Sequence, residues 1–162
     1  MALVTGIRVH RAADSQIEGA YAIVQEYYEA AAVVVREDLD EFAREYFVDG
    51  GGVWLAEDEG VAVGCIALRA LRRKPGCGEI KRLYVGPEYR GRGVADRLLE
   101  ALENYAKEFG YRWLYLDTAA DMKAAARFYE KKGFEPCERY NDNPQAAIFM
   151  RKTIHRADCR RA

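Results

Sequence analysis

Hydrophobic residues recur along this chain with two different periods, and the changes between them predict the order of helices and strands. Across residues 94–109 the apolar positions follow a spacing close to 3.6, which predicts an amphipathic helix. Runs rich in β-forming residues lie on either side of it, at 79–85 and 113–117. The inner face of the predicted helix carries Val94, Leu98, Leu99, Leu102, Tyr105, Ala106 and Phe109.

The first part of the chain predicts one short strand followed by two helices. The strand covers residues 7–10, and Ser15 with Glu18 three positions later has the pattern of a capping box that opens a helix. Asp38 is placed to cap a second helix. Each of these two helices therefore has a start signal of its own.

The remaining segments predict a mixed sheet, because the helix at 94–109 joins two strands in the manner of a parallel crossover. Residues 58–60 read as a hairpin connection, and a helix around 125–129 is expected to end at Gly133 in a left-handed cap. The order is then strand, two helices, three strands, helix, strand, helix, two strands. The further predicted strands are 53–57, 61–70, 134–140 and 147–152.

The composition is that of an ordinary globular domain. Of 162 residues, 50% are hydrophobic and 31% are charged, and the formal net charge of −1 does not favour nucleic-acid binding. No apolar run is long enough to span a membrane and no leader peptide is recognisable, so a cytoplasmic protein is expected. We expect one domain over residues 1–154 and a flexible polar tail over 155–162. Four cysteines have no metal-binding spacing, so free thiols and no metal site are predicted: Cys65, Cys77, Cys137 and Cys159.

One turn carries candidate chemistry. The sequence Arg90-Gly91-Arg92-Gly93-Val94-Ala95 lies between a predicted strand and the helix at 94–109. A helix start with small residues presents free backbone N–H groups at the positive end of the helix dipole, which suits a phosphate. It is neither a Walker loop, which needs Gly-Lys-Ser/Thr, nor a dinucleotide fingerprint, which needs three glycines. By itself the pattern fits a solvated, glycine-rich turn equally well.

Three segments together resemble the GNAT family of N-acetyltransferases. Residues 79–95 match its strand–turn–helix motif for acetyl-CoA, residues 113–117 match the following strand, and residues 125–134 match Ala-x-x-x-Tyr-x-x-x-Gly-Phe. Met122 stands where the family often has asparagine. The resemblance implies an α/β (α+β) GNAT fold, with a mixed, mostly antiparallel sheet, a splayed parallel strand pair and helices on both faces.

The activity implied by this resemblance is that of an acyltransferase, an acetyl-CoA-dependent N-acetyltransferase whose acceptor amine attacks the thioester directly in a ternary complex. Leu83 then supplies an N–H to the oxyanion, Glu79 is the general base and Tyr129 protonates the leaving thiolate. With an ordinary pKa of about 10, against about 8.5 for a thiol, a tyrosine is protonated at neutral pH, and Tyr129 is expected to donate this proton where its hydroxyl reaches the sulfur. The implied cofactor contacts are Leu83, Tyr84, Val85, Arg90, Gly91, Arg92, Gly93, Val94, Ala95, Met122 and Tyr129.

The strand that carries these residues makes a further prediction. Because side chains alternate along a strand, Glu79, Lys81, Leu83 and Val85 should share one face. Two non-catalytic alternatives stay open. Glu79 could pair with Lys81 at the surface, and Tyr129 could be a tyrosine of the hydrophobic core. Gly93 is expected to allow close approach of the cofactor, where a Cβ would clash.

The acceptor is expected to be a primary amine of a small metabolite, amino-acid-like in character, because residues 140–144 resemble a subset of small-molecule GNAT proteins. A peptide or protein amine and a non-catalytic CoA-binding sensor are the alternatives. The acceptor site should lie between the first two helices, the loop at 71–78 and the last hairpin. A homodimer is expected by analogy with other family members, and neither nucleic acid nor membrane is expected as a partner. The candidate acceptor-binding residues are Tyr28, Arg72, Tyr140 and Asn143, with Glu26, Tyr27 and Arg73 beside them.

Overall fold

A computed structural model describes residues 6–154 and contains a seven-stranded sheet in the order β1-β2-β3-β4-β5-β7-β6. Only β4 and β5 pair in parallel, and the other neighbouring strands are antiparallel. The strands are β1 (Ile7–Arg11), β2 (Gly52–Asp58), β3 (Val61–Ala70), β4 (Cys77–Val85), β5 (Trp113–Thr118), β6 (Glu135–Pro136) and β7 (Ile148–Thr153). The helices are α1 (Ile17–Ala30), α2 (Leu39–Tyr46), α3 (Val94–Phe109) and α4 (Lys123–Lys131). This confirms the predicted element order and fold class, while the predicted tail at 155–162, with Cys159, lies outside the described residues.

The sheet is covered on both faces, which gives the molecule two apolar cores. Helices α1 and α2 pack on one face, here called the α1/α2 face, and α3 and α4 pack on the other, the α3/α4 face. The predicted inner face of α3 is confirmed except at Phe109, which is 49% exposed. Phe109 is the last residue of α3 and stacks on Tyr105 instead of entering the core. Within residues 6–154, every helix falls short of the length or the apolar character that a bilayer crossing requires.

The two predicted helix starts have different outcomes. Asp38 caps α2 as predicted: its carboxylate accepts from the N–H of Glu41, whose own carboxylate accepts from the N–H of Asp38. The Ser15–Glu18 capping box is wrong, because a short 3₁₀ turn occupies Asp14–Gln16 before α1 begins. The side chain of Gln16 closes that turn, so the local sequence signal is overridden by a nearby competitor.

The final hairpin is shorter than predicted. A strand over residues 134–140 was expected, but β6 is limited to Glu135–Pro136 and residues 137–147 follow an irregular path. The guanidinium of Arg139 donates to the carbonyls of Asn141, Asn143 and Ala146. These bonds hold residues 137–147, here called the 137–147 loop, in a conformation that is incompatible with an extended strand.

A bulge interrupts β4 where it pairs with β3. Lys81 lies opposite Ala67 and Tyr84 lies opposite Cys65, so one strand advances by one residue more than the other. Arg82, inside the bulge, has φ +61°, a left-handed conformation that costs a non-glycine residue roughly 1–3 kcal/mol. Strained backbone of this kind in a middle strand is often found at functional sites, so it directs attention to the part of β4 around Arg82.

The bulge changes the direction of the side chains that follow it. Lys81 and Arg82 are adjacent, yet both point to the α1/α2 face, whereas Leu83 and Val85 pack against the α3/α4 core. The prediction that Leu83 and Val85 share a face with Glu79 and Lys81 is therefore wrong. The physical reason is the extra residue, which shifts the alternation by one position.

The parallel pair opens at its carboxyl end. The register between β4 and β5 runs from Cys77 opposite Trp113 to Ile80 opposite Leu116 and then stops, although both strands continue. The predicted splay of the parallel pair is confirmed. Backbone groups of β4 beyond Ile80 consequently face an opening in the sheet instead of a neighbouring strand.

Candidate active site

A cavity of about 570 Å³ occupies the opening between β4 and β5 and extends to both faces of the sheet. Leu83, Met122 and Tyr129 line it on the α3/α4 face, and Lys81 and Asp117 line it on the α1/α2 face. A molecule that filled this cavity would touch groups from both sides of the sheet. The rest of the chain supplies walls from the α1–α2 loop (residues 31–38) and the 137–147 loop.

The start of α3 presents a group of free backbone donors. In the part of the chain that the structure describes, the N–H groups from Gly91 to Asp96 have no hydrogen-bond acceptor. Gly91 and Gly93 have φ of +75° and +80°, and Gly93 is the N-cap of α3. Free donors at the positive end of a 16-residue helix form an anion-binding arrangement of the kind that the sequence predicted.

Gly93 is needed for its backbone angle and not for space within the protein. A Cβ built there meets no heavy atom closer than Asp96 Oδ2 at 4.0 Å. The clash predicted for a Cβ therefore does not arise with the protein itself, and only a bound ligand could produce it. The positive φ still disfavours other residues, because left-handed backbone costs them roughly 1–2 kcal/mol.

Tyr129 lies in the cavity wall on α4. It is 5% exposed, with its ring in edge contact with Phe128 and Phe134. Among the described residues its hydroxyl has no hydrogen-bond partner, although the side chain lines the cavity. Burial raises the pKa of Tyr129 well above its usual value, so the hydroxyl keeps its proton through the neutral range.

Glu79 is buried behind the cavity wall and does not line it. Its carboxylate is 1% exposed and accepts from Arg69 Nε at 3.0 Å, from the Tyr140 hydroxyl at 2.7 Å and from Asn141 Nδ2 at 3.3 Å. Lys81 Nζ is 3.9 Å away. The alternative of a pair with Lys81 at the surface is therefore wrong in its location, because Glu79 is buried and the Lys81 side chain is only 10% exposed. Glu79 instead anchors side chains that do reach the cavity.

Asp117 is the carboxylate that ends β5 at the opening. Its Oδ2 accepts from Asn141 Nδ2 at 2.6 Å, whereas its Oδ1 has only long contacts, 3.4 Å to Lys81 Nζ and 3.4 Å to Asn143 Nδ2. Asp117 and Asn141 are not among the site residues predicted from the sequence, and Lys81 was expected only as a strand neighbour or surface partner of Glu79. A usable signal was present, since ligands bind outside the carboxyl ends of parallel strands.

Glu37, on the α1–α2 loop, is a second carboxylate of the lining. It accepts from the Tyr28 hydroxyl at 2.6 Å and from Arg82 Nη2 at 3.0 Å. Burial acts to raise the pKa of Glu37, but the Arg82 guanidinium and the Tyr28 hydroxyl hold that pKa below its usual value. Glu37 is therefore a fixed negative charge. Glu37 neutralises the charge of Arg82, the residue with the strained backbone. No local sequence pattern identifies Glu37.

The predicted acceptor-binding residues separate into two groups. Asn143 lines the cavity, but Tyr28 and Tyr140 stand behind the wall with their hydroxyls on Glu37 and Glu79. The side chain of Arg72 is 80% exposed and pairs with Glu45, and the loop at 71–78 contributes no residue to the lining. The acceptor side of the cavity is thus built from the α1–α2 loop, the 137–147 loop and the ends of β4 and β5, and the two predicted helices contribute Tyr27 of α1 and Glu41 of α2.

Gln145 joins the two loops over the cavity. Its Oε1 accepts from the N–H of Val34 at 2.8 Å, and its Nε2 donates to the carbonyl of Ala32 at 3.2 Å. Ala32 has φ +51°, so the α1–α2 loop bends sharply where Gln145 holds it. Gln145 consequently ties the α1–α2 loop to the 137–147 loop along the α1/α2 side of the cavity.

Known proteins resemble this chain in sequence and in fold. A family model described as the acetyltransferase (GNAT) family matches residues 17–134. An uncharacterized N-acetyltransferase of Schizosaccharomyces pombe is 35% identical over 136 residues, which cover 80% of this chain and 83% of the yeast protein. The chain spans about half the length of several mouse and rat N-acetyltransferases that it also matches.

Solved structures show the same architecture. A GNAT-family acetyltransferase from Staphylococcus aureus superposes with a TM-score of 0.77 at 21% identity, covering 91% of this chain and 98% of that chain. The PaiA N-acetyltransferase of Thermoplasma acidophilum, solved in complex with coenzyme A, superposes with a TM-score of 0.69 at 18% identity, covering 91% and 99%. At these identities the likeness concerns the fold.

Proposed function

Because the chain belongs to the GNAT acetyltransferase family, we propose that it moves an acetyl group from acetyl-CoA to the primary amine of a small acceptor. The acceptor attacks the thioester directly while both substrates are bound. The observation that carries this proposal is the cavity through the opened sheet, which connects the α3/α4 face to the α1/α2 face. Two substrates entering from opposite faces would meet at the end of the parallel pair.

Acetyl-CoA would bind on the α3/α4 face. The free N–H groups from Gly91 to Asp96 would hold its diphosphate, with Arg90 and Arg92 adding positive charge. Val85 and Tyr84 would lie along the pantetheine arm, and Met122 near the thioester. The PaiA protein was solved with coenzyme A, which supports this ligand class for the fold.

Two groups on this face would serve the chemistry of acetyl transfer. Attack on the thioester builds negative charge on oxygen, and the N–H of Leu83, at the bulge of β4, would stabilise it. The bond to sulfur then breaks, and the hydroxyl of Tyr129 would protonate the leaving thiolate. The unpartnered, protonated state of that hydroxyl supports this assignment.

Glu79 is the base predicted from its family position, and its surroundings restrict how it acts. Arg69, Tyr140 and Asn141 occupy its oxygens, so a proton from the acceptor would reach it only through a neighbouring group. Glu79→Gln tests this role. A kcat lowered by roughly 100-fold or more would support proton transfer, whereas a raised KM at unchanged kcat would indicate positioning.

A small acceptor is favoured over a peptide because Gln145 joins the α1–α2 loop to the 137–147 loop, which limits the room for an extended chain on the α1/α2 side of the cavity. The test is a thiol-release assay with acetyl-CoA and panels of amines, amino acids and short peptides, joined with calorimetry of coenzyme A and pantetheine. We expect turnover of small acceptors, and coenzyme A bound at least about tenfold more tightly than pantetheine, which lacks the diphosphate. Binding without turnover of any acceptor would instead support a coenzyme A sensor, and preferential turnover of peptides would support a protein acetyltransferase.

The cytoplasmic location and the homodimer expected from the sequence stay predictions. Fractionation of cells expressing the full chain tests the first. Light scattering of the purified protein tests the second.

A further inference from the structure

We propose that the acceptor is a free α-amino acid, whose ammonium group binds Asp117 and whose carboxylate binds Lys81 and Asn143. This inference rests on the proposed acetyl transfer and assigns the substrate class of the same cavity. Its basis is a group of three polar atoms, on residues that line the cavity, whose hydrogen bonds to one another are long. The atoms are Lys81 Nζ, Asp117 Oδ1 and Asn143 Nδ2.

The three atoms are close but not firmly bonded. Asp117 Oδ1 is 3.4 Å from both nitrogens, beyond the 2.7–3.2 Å typical of firm N–H···O bonds. The two charged side chains are nevertheless buried, with Lys81 10% exposed and Asp117 5%. A buried ion pair with long contacts gains from a ligand that bonds to both members, because burial has already removed most of their water.

The neighbours of this group fix its members in place. Asn141 Nδ2 donates to Asp117 Oδ2 at 2.6 Å and to Glu79 at 3.3 Å, which leaves Oδ1 as the oxygen directed to a ligand. Glu79 also lies 3.9 Å from Lys81 Nζ. Because Asp117 takes the proton in this assignment, Glu79 is a positioning residue that orients Lys81 and Asn141 without lining the cavity, and Glu79→Gln should act on KM more than on kcat.

The group lies where the reaction must occur. Lys81 and Asp117 directly follow Ile80 and Leu116, the last paired residues of the parallel strands. Leu83, whose N–H is the proposed oxyanion donor, is two residues beyond Lys81 on the same strand. An amine held at Asp117 would therefore face the thioester carbonyl across the opening between β4 and β5.

The charges of this group select an acceptor that carries both signs. A simple amine, charged when it enters, would pair with Asp117 but would meet the ammonium of Lys81 beside it. An α-amino acid brings a carboxylate on the carbon next to its ammonium, which matches a cation and an anion 3.4 Å apart. An analogue without the carboxylate leaves Lys81 with only its long contacts to Asp117 and Glu79, and a site whose largely buried polar groups are left poorly paired discriminates against such a substrate.

The proposed step balances in atoms and electrons. Asp117 takes one proton from the ammonium, and the freed nitrogen pair attacks the carbonyl carbon. The new N–C bond forms, the C–S bond breaks, and its electron pair goes to sulfur. Tyr129 gives its proton to the thiolate and recovers one from the amide nitrogen, while Asp117 releases its proton to solvent. The products are an N-acetylamino acid, coenzyme A as a thiol, and one proton.

The test compares matched acceptors in the thiol-release assay with the full chain. Each of the twenty L-amino acids is paired with its carboxamide and, for leucine and phenylalanine, with 3-methylbutylamine and 2-phenylethylamine. We expect at least one amino acid to exceed its amide and its amine by about 100-fold or more in kcat/KM. An amine or amide used as well as its amino acid would overturn the inference while leaving acetyl transfer intact.

Variants of the group give a second, independent readout. Lys81→Met should lower kcat/KM for the amino acid, mainly through KM, and bring its preference over the amine close to one. Lys81→Arg should keep the preference, because it keeps the charge. Arg8→Met removes an exposed cation on the edge strand β1 and serves as the control, with no change expected. If Lys81→Met does not fold, Asn143→Ala replaces it, with a smaller rise of KM in the same direction.

The possible failures are distinguishable. Absence of binding of coenzyme A in calorimetry would refute the proposed function itself. If coenzyme A binds but no acceptor turns over, calorimetry of the amino acids in the presence of coenzyme A tests whether the proposed amino-acid site exists. Binding of an amino acid, weakened in Asn143→Ala, supports the site, and no binding by any of the twenty refutes it.

Discussion

Replacing Tyr129 by phenylalanine should lower activity while leaving stability unchanged or improved. The substitution removes one oxygen from a side chain that lines the cavity and keeps the ring that packs on Phe128 and Phe134. General acid catalysis contributes roughly 100- to 10,000-fold, so kcat should fall by at least about 100-fold, or about 2.7 kcal/mol of activation free energy. Substrate binding should change little, because the hydroxyl acts on the leaving sulfur.

The expected effect on stability comes from the surroundings of the same hydroxyl. Within residues 6–154 it has no hydrogen-bond partner, but its oxygen keeps some solvent access, so the cost of roughly 1–3 kcal/mol for a fully buried unpaired hydroxyl applies only in part. Because the cavity lets water reach it, we expect a gain between zero and about 1 kcal/mol in the free energy of unfolding. For a chain of this size that corresponds to a Tm raised by at most about 4 °C.

Tyr111→Phe is the matched control, because this hydroxyl is bonded and remote from the cavity. It donates to the carbonyl of Gly50 at 2.6 Å in a buried position. Its loss should lower the free energy of unfolding by about 1–2 kcal/mol and leave kcat unchanged. The assays are thiol release at saturating substrates and thermal unfolding by circular dichroism. A Tyr129→Phe protein with unaltered kcat, or with a Tm several degrees lower, would refute the reasoning.

Three other perturbations have defined outcomes. Gln145→Ala removes two hydrogen bonds to the α1–α2 loop, each worth about 0.5–1.5 kcal/mol. The KM for the acceptor should therefore rise about threefold to tenfold in steady-state assays, and an unchanged KM would show that this link between the loops does not help to hold the acceptor. In Gly93→Ala the free turn should relax away from φ +80°, because that angle costs alanine roughly 1–2 kcal/mol. Restoring the angle to bind the diphosphate should then weaken coenzyme A binding about fivefold to thirtyfold in calorimetry, and equal affinity would argue against a diphosphate at this turn. Burial raises the pKa of Tyr111 to about 12, above about 10 in the unfolded chain, so its contribution to stability is complete below pH 10 and is lost as pH rises toward 12. Urea titrations from pH 9 to 12 should show this decline, and Tyr111→Phe should reduce its slope.

Much of the fold follows from patterns that are local in the sequence. The period of the segment 94–109 predicted α3, and Asp38 predicted the start of α2, because a helix depends on contacts within one or two turns. Local reasoning failed where a neighbour competed, as Gln16 does at the start of α1 and Arg139 does in the final hairpin. At Phe109 it failed because a helix end leaves the sheet that the periodic face was assumed to meet.

The candidate site likewise has features that local sequence predicts and features that depend on tertiary packing. Gly91 and Gly93 pointed to free backbone donors from the sequence, since a glycine-rich turn before a helix creates them without help from other segments. The burial of Glu79 and the partnership of Glu37 with Arg82 had no such signal. The latter pair is separated by 45 residues, and its geometry depends on how α1, α2 and β4 pack.

The order of the elements, the GNAT resemblance and the phosphate-binding turn could therefore be predicted from the amino-acid sequence, because each depends on residues near one another in the chain. Only the tertiary structure decided which side chains face the opened strands. A single extra residue at Arg82 reverses the alternation of β4, and whether the backbone accepts that strain depends on Glu37 and Tyr28, which reach it from another part of the fold.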